Sequence, residues 1–367
     1  MRPGVPCAAG RPTGQGGRDG HGRDDMRPGA AGGALKPARA TVVDGTPARP
    51  AAGSQRGGFA NRSSMPLRIA QITDLHIGFE PGNPRELNSR RLEAVLARLA
   101  GLAPDIVLVT GDLTEHGDCD SYARLGAMLE RSGLRVRLLV GNHDRRDAFA
   151  SELPGFRAAD GFVHHVLDLG DVRIVALDTL EEGRHGGAFC GARARWLEET
   201  LAAAPDRPTL VALHHPPVET GIAWMTAPPL APWARRLEAV LARHPQVRLV
   251  VAGHIHRAMA AGFAGRPLLV CPACAPQLAL DFRPIAPDAP DGRPMVVAEP
   301  PGFALHLWTG DAFVSHFGVV DGADVIVAHD RRMAAAIAPI LAEQAADRAA
   351  GAAGTARRGL RRKDPAA

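Results

Sequence analysis

The sequence predicts an α/β fold of two packed sheets with helices on the outside. Three observations predict it. From residue 67 onward, short apolar runs of strand length alternate with apolar positions at helical spacing. The stretch 268–320 is strand-rich and lacks crossover helices. Apolar residues make up 46% and charged residues 22% of the 367-residue chain, the balance of a globular protein.

Taken in order, Leu67–Ile72 reads as a short strand, and the apolar positions 92, 95, 96 and 99 form one helical face. Residues 105–109 are a continuous apolar run, expected of a strand buried on both faces. Helix from Tyr122 to Leu129 and strand from Val136 to Val140 follow. The alternation continues with a strand at 172–177, a helix through Trp196 to Leu201, a strand at 209–213, a helix at 237–241 and a strand at 247–252. Residues 268–270 and 303–308 are late strands, and Met333 to Ala342 has the pattern of an amphipathic helix.

The ends differ in texture. Residues 1–64 hold 14 Gly and 7 Pro with few large apolar side chains, so ordering them would cost more entropy than burial returns. They read as a disordered Gly/Pro/Arg-rich segment or as the product of a misplaced translation start, since Met65 opens the periodic region. The expected organisation is 1–64 disordered, 65–325 a folded domain, 326–344 a C-terminal helix and 345–367 a disordered basic tail. The formal charge follows this division: residues 1–64 carry +6, residues 345–367 carry +4 and the middle carries −6. The basic character therefore belongs to the tails and gives no basic groove for nucleic acid. Aromatics at 4%, with Tyr122 the single tyrosine, argue against a base-stacking surface. No run of about 18 apolar residues predicts a membrane span, and the start lacks the apolar core of a secretory signal. Five cysteines, an odd number in a large chain, predict no disulfide framework and a reducing, cytoplasmic setting. Cys271 and Cys274 have C-x-x-C spacing without a second ligand pair, and read as small buried residues.

The chemistry sits where strands end. Thr73-Asp74-Leu75-His76, Thr110-Gly111-Asp112, Gly141-Asn142-His143-Asp144, His214-His215-Pro216-Pro217 and Gly253-His254-Ile255-His256 each follow an apolar strand. In α/β sheets the carboxyl ends of strands form the rim where ligands bind. Asp74, His76, Asp112, Asn142, His214, His254 and His256 supply the roughly seven groups that a pair of cations sharing a carboxylate needs. Nitrogen and oxygen donors without thiolate suit Zn, Mn or Fe. Each piece alone is a weak signal. Five pieces, each at a strand end, are a strong one. His185, Trp224 and Met225 are candidates for pocket walls, with core or surface packing as the alternative.

On these motifs, residues 65–320 resemble the calcineurin-like metallophosphoesterases, and within them the bacterial class III cyclic-nucleotide phosphodiesterase and glycerophosphodiesterase branch. Gly141–Arg145, Leu213–Pro217 and Glu299–Trp308 carry the narrower likeness. The resemblance implies a four-layer α/β/β/α sandwich with a strand-rich C-terminal extension. It implies one metal on Asp74, His76, Asp112 and His256, and a second on Asp112, Asn142, His214 and His254, with Asp112 bridging. It favours His214 over the adjacent His215 as ligand. It makes His143 the outer-sphere histidine at the substrate phosphate. Asp144, counted with His143 as catalytic, reads as a holder of His143 or of the loop, or as a helix cap. Asn142, His143 and Arg145 are substrate-binding candidates, with an exposed arginine at a helix start the alternative for Arg145. The expected activity is hydrolysis of small phosphodiesters by metal-activated hydroxide. The expected cofactors are two divalent ions (Fe, Mn or Zn), and 3′,5′-cyclic AMP is the first substrate candidate. A glycerophosphodiester or broad phosphomonoester/diester hydrolase is the alternative, and a non-catalytic binding scaffold of the same fold a minor one. The branch also implies a homodimer through the C-terminal strands.

Overall fold

Side chains in the central strands alternate between two cores, and this alternation sets the layers. The computed structural model describes residues 66–154, 161–228 and 231–360; the expectations for 1–64 and for the last seven residues lie outside them. The chain divides after Asp321 into two units.

In the first unit, β1 (Leu67–Ile72), α1 (Leu87–Leu102), β2 (Ile106–Thr110), α2 (Cys119–Ser132), β3 (Val136–Leu139) and α3 (Arg146–Glu152) come first. Then follow β4 (His165–Leu169), β5 (Val172–Ala176), α4 (Gly191–Ala202), β6 (Thr209–Ala212), α5 (Pro232–Ala242), β7 (Val247–Ala252), β8 (Met259–Phe263) and β9 (Arg266–Val270). The ending is all β: β10 (Gln277–Leu278), β11 (Val296–Val297), β12 (Gly302–Trp308) and β13 (Phe313–Val319). The second unit contains α6 (Arg331–Leu360), which runs well past residue 344.

Two large sheets result, in the orders β13-β12-β1-β2-β3 and β4-β5-β6-β7-β9-β8. Strands β1, β2 and β3 are mutually parallel, as are β5, β6, β7 and β9. Antiparallel strands close the edges. Ile69, Ile106, Leu108, Leu139, Ile174, Leu210, Leu249 and Val251 fill the space between the sheets. The alternate residues face outward. Ala70, Ile72, Val107 and Val109 pack with Leu92, Leu99, Leu125 and Phe149 of α1, α2 and α3. Val175, Val211 and Val250 pack with Leu197, Leu201, Leu237 and Leu241 of α4 and α5. Strands buried on both faces favour apolar residues throughout, which is why β2 and β6 read as hydrophobic runs broken only by a terminal Thr110 and Thr209. The fold is thus the four-layer α/β/β/α sandwich.

Helix starts follow local chemistry. The Asp118 carboxylate accepts the Ser121 N–H at 2.9 Å and caps α2. Pro232 opens α5, where its missing N–H costs nothing. Parallel strands place their carboxyl ends on a common rim. There the Gln71 side-chain amide donates to the Ala252 carbonyl at 2.8 Å and to Thr110 Oγ1 at 2.9 Å. One buried amide so ties the ends of β1, β2 and β7, and with them the two sheets.

Candidate metal centre

Five loops leave this rim, and the backbone of three of them is strained. Asp74 (φ 53°), His76 (48°), Asp112 (48°), His254 (72°) and His256 (51°) all occupy the left-handed region. Among the described residues only Ala103 and Ala264 share that region without being glycine. A non-glycine residue there is uncommon, and persists only where the surroundings over-determine it. The neighbours are packed to match. A Cβ on Gly111 would stand 2.4 Å from His214 Nδ1, and one on Gly141 would stand 2.3 Å from Asp112 Oδ1. Glycine is required at both so that backbone can approach these side chains.

The seven predicted ligand residues converge. His76 Nε2 lies 3.1 Å from His256 Nε2 and 3.6 Å from Asp112 Oδ2. His256 Nε2 is 3.5 Å from Asp74 Oδ1. His214 Nε2 is 3.3 Å from Asp112 Oδ2 and 3.2 Å from Asn142 Oδ1. The His254 ring centroid is 5.2 Å from that of His214, and the His254 N–H donates to the Asp74 carboxylate at 3.0 Å. Asp112 stands in the middle, between the His76 and His214 sides. His215 turns its Nδ1 to Thr179 Oγ1 at 2.9 Å, yet its ring stays 4.8 Å from that of His254.

Electrostatics reflect the crowding. Burial disfavours charge on Asp112, but His214 and His76 more than offset it and hold its carboxyl well below the usual range. Burial likewise disfavours charge on His76 and His214. Glu115, Asp112 and Asp74 raise His76 to about 9, and Asp112 and Asp74 raise His214 to about 9. Burial and neighbouring imidazoles push His254 and His215 well down.

His143 stands beside the cluster. Its N–H donates to Asp112 Oδ1 at 2.9 Å, and its Nδ1 lies 3.0 Å from the Glu115 carbonyl. The Asp144 carboxylate accepts from the N–H groups of Gly141 (2.8 Å), Leu113 (3.1 Å) and Thr114 (3.3 Å), and from the Tyr122 hydroxyl (2.8 Å). It fastens the loops of Asp112 and Asn142 to each other. Burial and Asp112 raise it to about 6. Arg145 turns to Asp147 at 2.9 Å, and is the one predicted site residue whose charge is directed away from the cluster. His185 is within 3.5 Å of the Asn142 amide, and its Nε2 is 3.1 Å from Met225 Sδ. Glu115 went unmarked in the sequence, because a lone Glu in a loop carries no signal until the fold sets it against His76.

The residues fit a cation pair. His256 Nδ1 is 2.8 Å from the Pro276 carbonyl and His76 Nδ1 is 2.7 Å from a Glu115 carboxylate oxygen. Both acceptors require N–H at Nδ1, so the two Nε2 atoms meet at 3.1 Å and need a positive charge between them, which a shared proton or a metal cation can supply. Carboxylate and imidazole atoms lie within 4.8 Å of one another in four overlapping triads, which take in His143 and His215 beside the predicted Asp and His ligands. That donor set suits a divalent metal of the Zn, Mn or Fe type.

Comparison with known proteins places the chain in a family. Residues 67–258 match the calcineurin-like phosphoesterase family. The chain is 38% identical over 270 residues to a probable cyclic nucleotide phosphodiesterase of Rhodopseudomonas palustris, covering 68% of this chain and 91% of that one. It is 30% identical over 267 residues to a probable glycerophosphodiester phosphodiesterase of Arcobacter nitrofigilis, covering 69% and 94%. It is 32% identical over 211 residues to the 3′,5′-cyclic adenosine monophosphate phosphodiesterase of Escherichia coli K12, covering 56% and 75%.

Proposed function

The chain belongs to the calcineurin-like phosphoesterase family and is a metal-dependent phosphodiester hydrolase, and on that premise we propose that it cleaves small cyclic phosphodiesters, 3′,5′-cyclic AMP first among them. The observation that carries the hydrolytic site is the convergence of Asp74, His76, Asp112, Asn142, His214, His254 and His256 at one rim, five of them on left-handed backbone. The names of two relatives support the cyclic nucleotide, and the name of a third supports a glycerophosphodiester as the second reading.

In this reading Asp74, His76, Asp112 and His256 hold one divalent ion. Asp112, Asn142, His214 and His254 hold the other. Iron, manganese and zinc are the candidates. The chemistry such a pair supplies when bound is Lewis acidity toward phosphoryl oxygens and a hydroxide nucleophile near neutral pH. The chain's own residues do the rest. His143 presents Nε2 to the phosphoryl or leaving oxygen, since its Nδ1 is directed at the Glu115 carbonyl. With both nitrogens protonated it stabilises charge on the phosphoryl oxygens or gives the leaving alkoxide its proton. Asp144 acts through the loops it fastens. Arg145 serves the substrate only by leaving Asp147.

A homodimer reading draws support from β13, the outermost strand of its sheet, where Val314, Phe317 and Val319 are exposed. Cys190, Cys271 and Cys274 carry free thiols while Cys119 is disulfide-bonded, so the cytoplasmic reading rests on the odd cysteine count alone. No helix among the described residues is long and apolar enough to cross a membrane.

A substrate panel tests the proposal. Specificity constants are compared for cyclic AMP, cyclic GMP, glycerophosphodiesters and phosphomonoesters on manganese-loaded protein. Cyclic AMP is expected to lead; a lead for glycerophosphodiesters would replace it with the second reading.

A further inference from the structure

Three of the four predicted ligand imidazoles have their Nδ1 against an oxygen acceptor, and one of the three acceptors differs in kind. His214 Nδ1 lies 2.8 Å from the Thr110 carbonyl and His256 Nδ1 lies 2.8 Å from the Pro276 carbonyl. Both are neutral backbone oxygens. His76 Nδ1 instead lies 2.7 Å from a carboxylate oxygen of Glu115. In every case the acceptor fixes the proton on Nδ1 and leaves Nε2 to face the cluster. Only the Glu115 carboxylate adds a full negative charge, which makes the opposite nitrogen a stronger donor.

Glu115 is itself held. Its N–H donates to the Ile77 carbonyl at 3.0 Å, beside the backbone bridge between Ile77 and Thr114. Its carbonyl is the oxygen 3.0 Å from His143 Nδ1. With its backbone held on both sides of Cα, Glu115 sets its carboxylate between His76 Nδ1 at 2.7 Å and His143 Nδ1 at 3.7 Å.

We infer that Glu115 is a positioning residue of the metal centre, fixing His76 with Nε2 toward the ion it shares with Asp74, Asp112 and His256. The inference rests on the dimetal reading above, and it makes the two ions unequal. The ion served by His76 has a charge-assisted imidazole. The ion served by His214 has not. Loss of the Glu115 carboxylate therefore weakens one ion and spares the other.

The test uses the full-length, manganese-loaded protein. Wild type, Glu115→Gln and Glu115→Ala are challenged with graded chelator, and the manganese retained per chain is counted. Wild type is expected to release two ions in separate stages. Glu115→Ala should release one of them at about 10–100-fold lower chelator strength, with the other stage unmoved. Glu115→Gln keeps an acceptor without the charge and should fall between. In zinc-loaded protein, the slowly exchanging downfield Nδ1 proton of His76 should persist in Glu115→Gln and vanish in Glu115→Ala. Retention curves that superimpose, or both stages weakened alike, would overturn the inference. If Glu115→Ala does not fold, Glu115→Gln decides by the same curves. Wild-type protein that retains no manganese would contradict the dimetal reading itself, which separates the two failures.

Discussion

Asp112 joins the two sides of the centre: His76, His214 and the His143 N–H all approach its carboxylate. Asp112→Ala should therefore remove both ions and lower kcat/KM about a thousandfold or more, several kcal/mol of transition-state stabilisation. Turnover of a bis(p-nitrophenyl) phosphate substrate measures this, and an unchanged rate would end the dimetal assignment. His143→Ala should behave differently. It should keep its manganese and lose roughly a hundredfold or more in kcat, the scale of a proton donor in the transition state; equal metal loss would make His143 a ligand instead. At this scale the sequence was readable wherever a polar residue stood directly after an apolar strand. Asp74, Asn142 and His254 announce themselves that way. Glu115 does not, because its meaning comes from His76, which is 39 residues away and brought near only by the pairing of β1 with β2. The positive φ values were equally hidden, apart from the hint of Gly111, Gly141 and Gly253 beside the ligands.

Strands and loops act on the centre by where they end. Gly141→Ala would drive a Cβ to 2.3 Å from Asp112 Oδ1 and 2.7 Å from His214 Nε2. The variant should fold but bind manganese much more weakly; metal counting checks it, and normal retention would mean the loop yields without moving Asp112. A second device lies under the rim. In β12, fully buried His306 has its Nδ1 2.7 Å from Ser315 Oγ and its Nε2 3.2 Å from Gln71 Oε1, the amide that ties the sheets. Burial lowers its imidazole to about 4. The unfolded chain, with an ordinary value near 6.5, takes up the proton first. Stability is therefore full above about pH 6.5 and declines as pH falls toward 4, by on the order of 2–3 kcal/mol. Urea unfolding at pH 7 and pH 5 should show this loss in wild type and a smaller one in His306→Gln; equal losses would refute it. The interior strands were legible because burial on both faces leaves mostly apolar residues in β2, β6 and β7, with Thr110, Thr209 and Arg248 at or near the strand ends. Edge strands β4 and β8 were not read, since their half-buried residues alternate weakly and pair on one side only.

Across the whole molecule, charge and fold are separated along the chain. The predicted metal ligands fall between Asp74 and His256, within the net-negative middle, while the basic residues gather at the ends. Removing residues 1–64 should leave kcat/KM for small diesters within about twofold, as no ligand is touched; a large loss would give that segment a role in the site. The sandwich was legible from alternation alone, but how its two sheets meet was not, because the Gln71 contact to Ala252 joins positions 181 apart. Everything said of hydrolysis depends on that meeting. The most direct measurement is an anomalous difference map from manganese-loaded crystals. It should show two peaks about 3.5–4 Å apart with the Asp112 carboxylate between them, one beside His76 and His256, the other beside Asn142 and His214. A single peak, or peaks away from Asp112, would contradict the account.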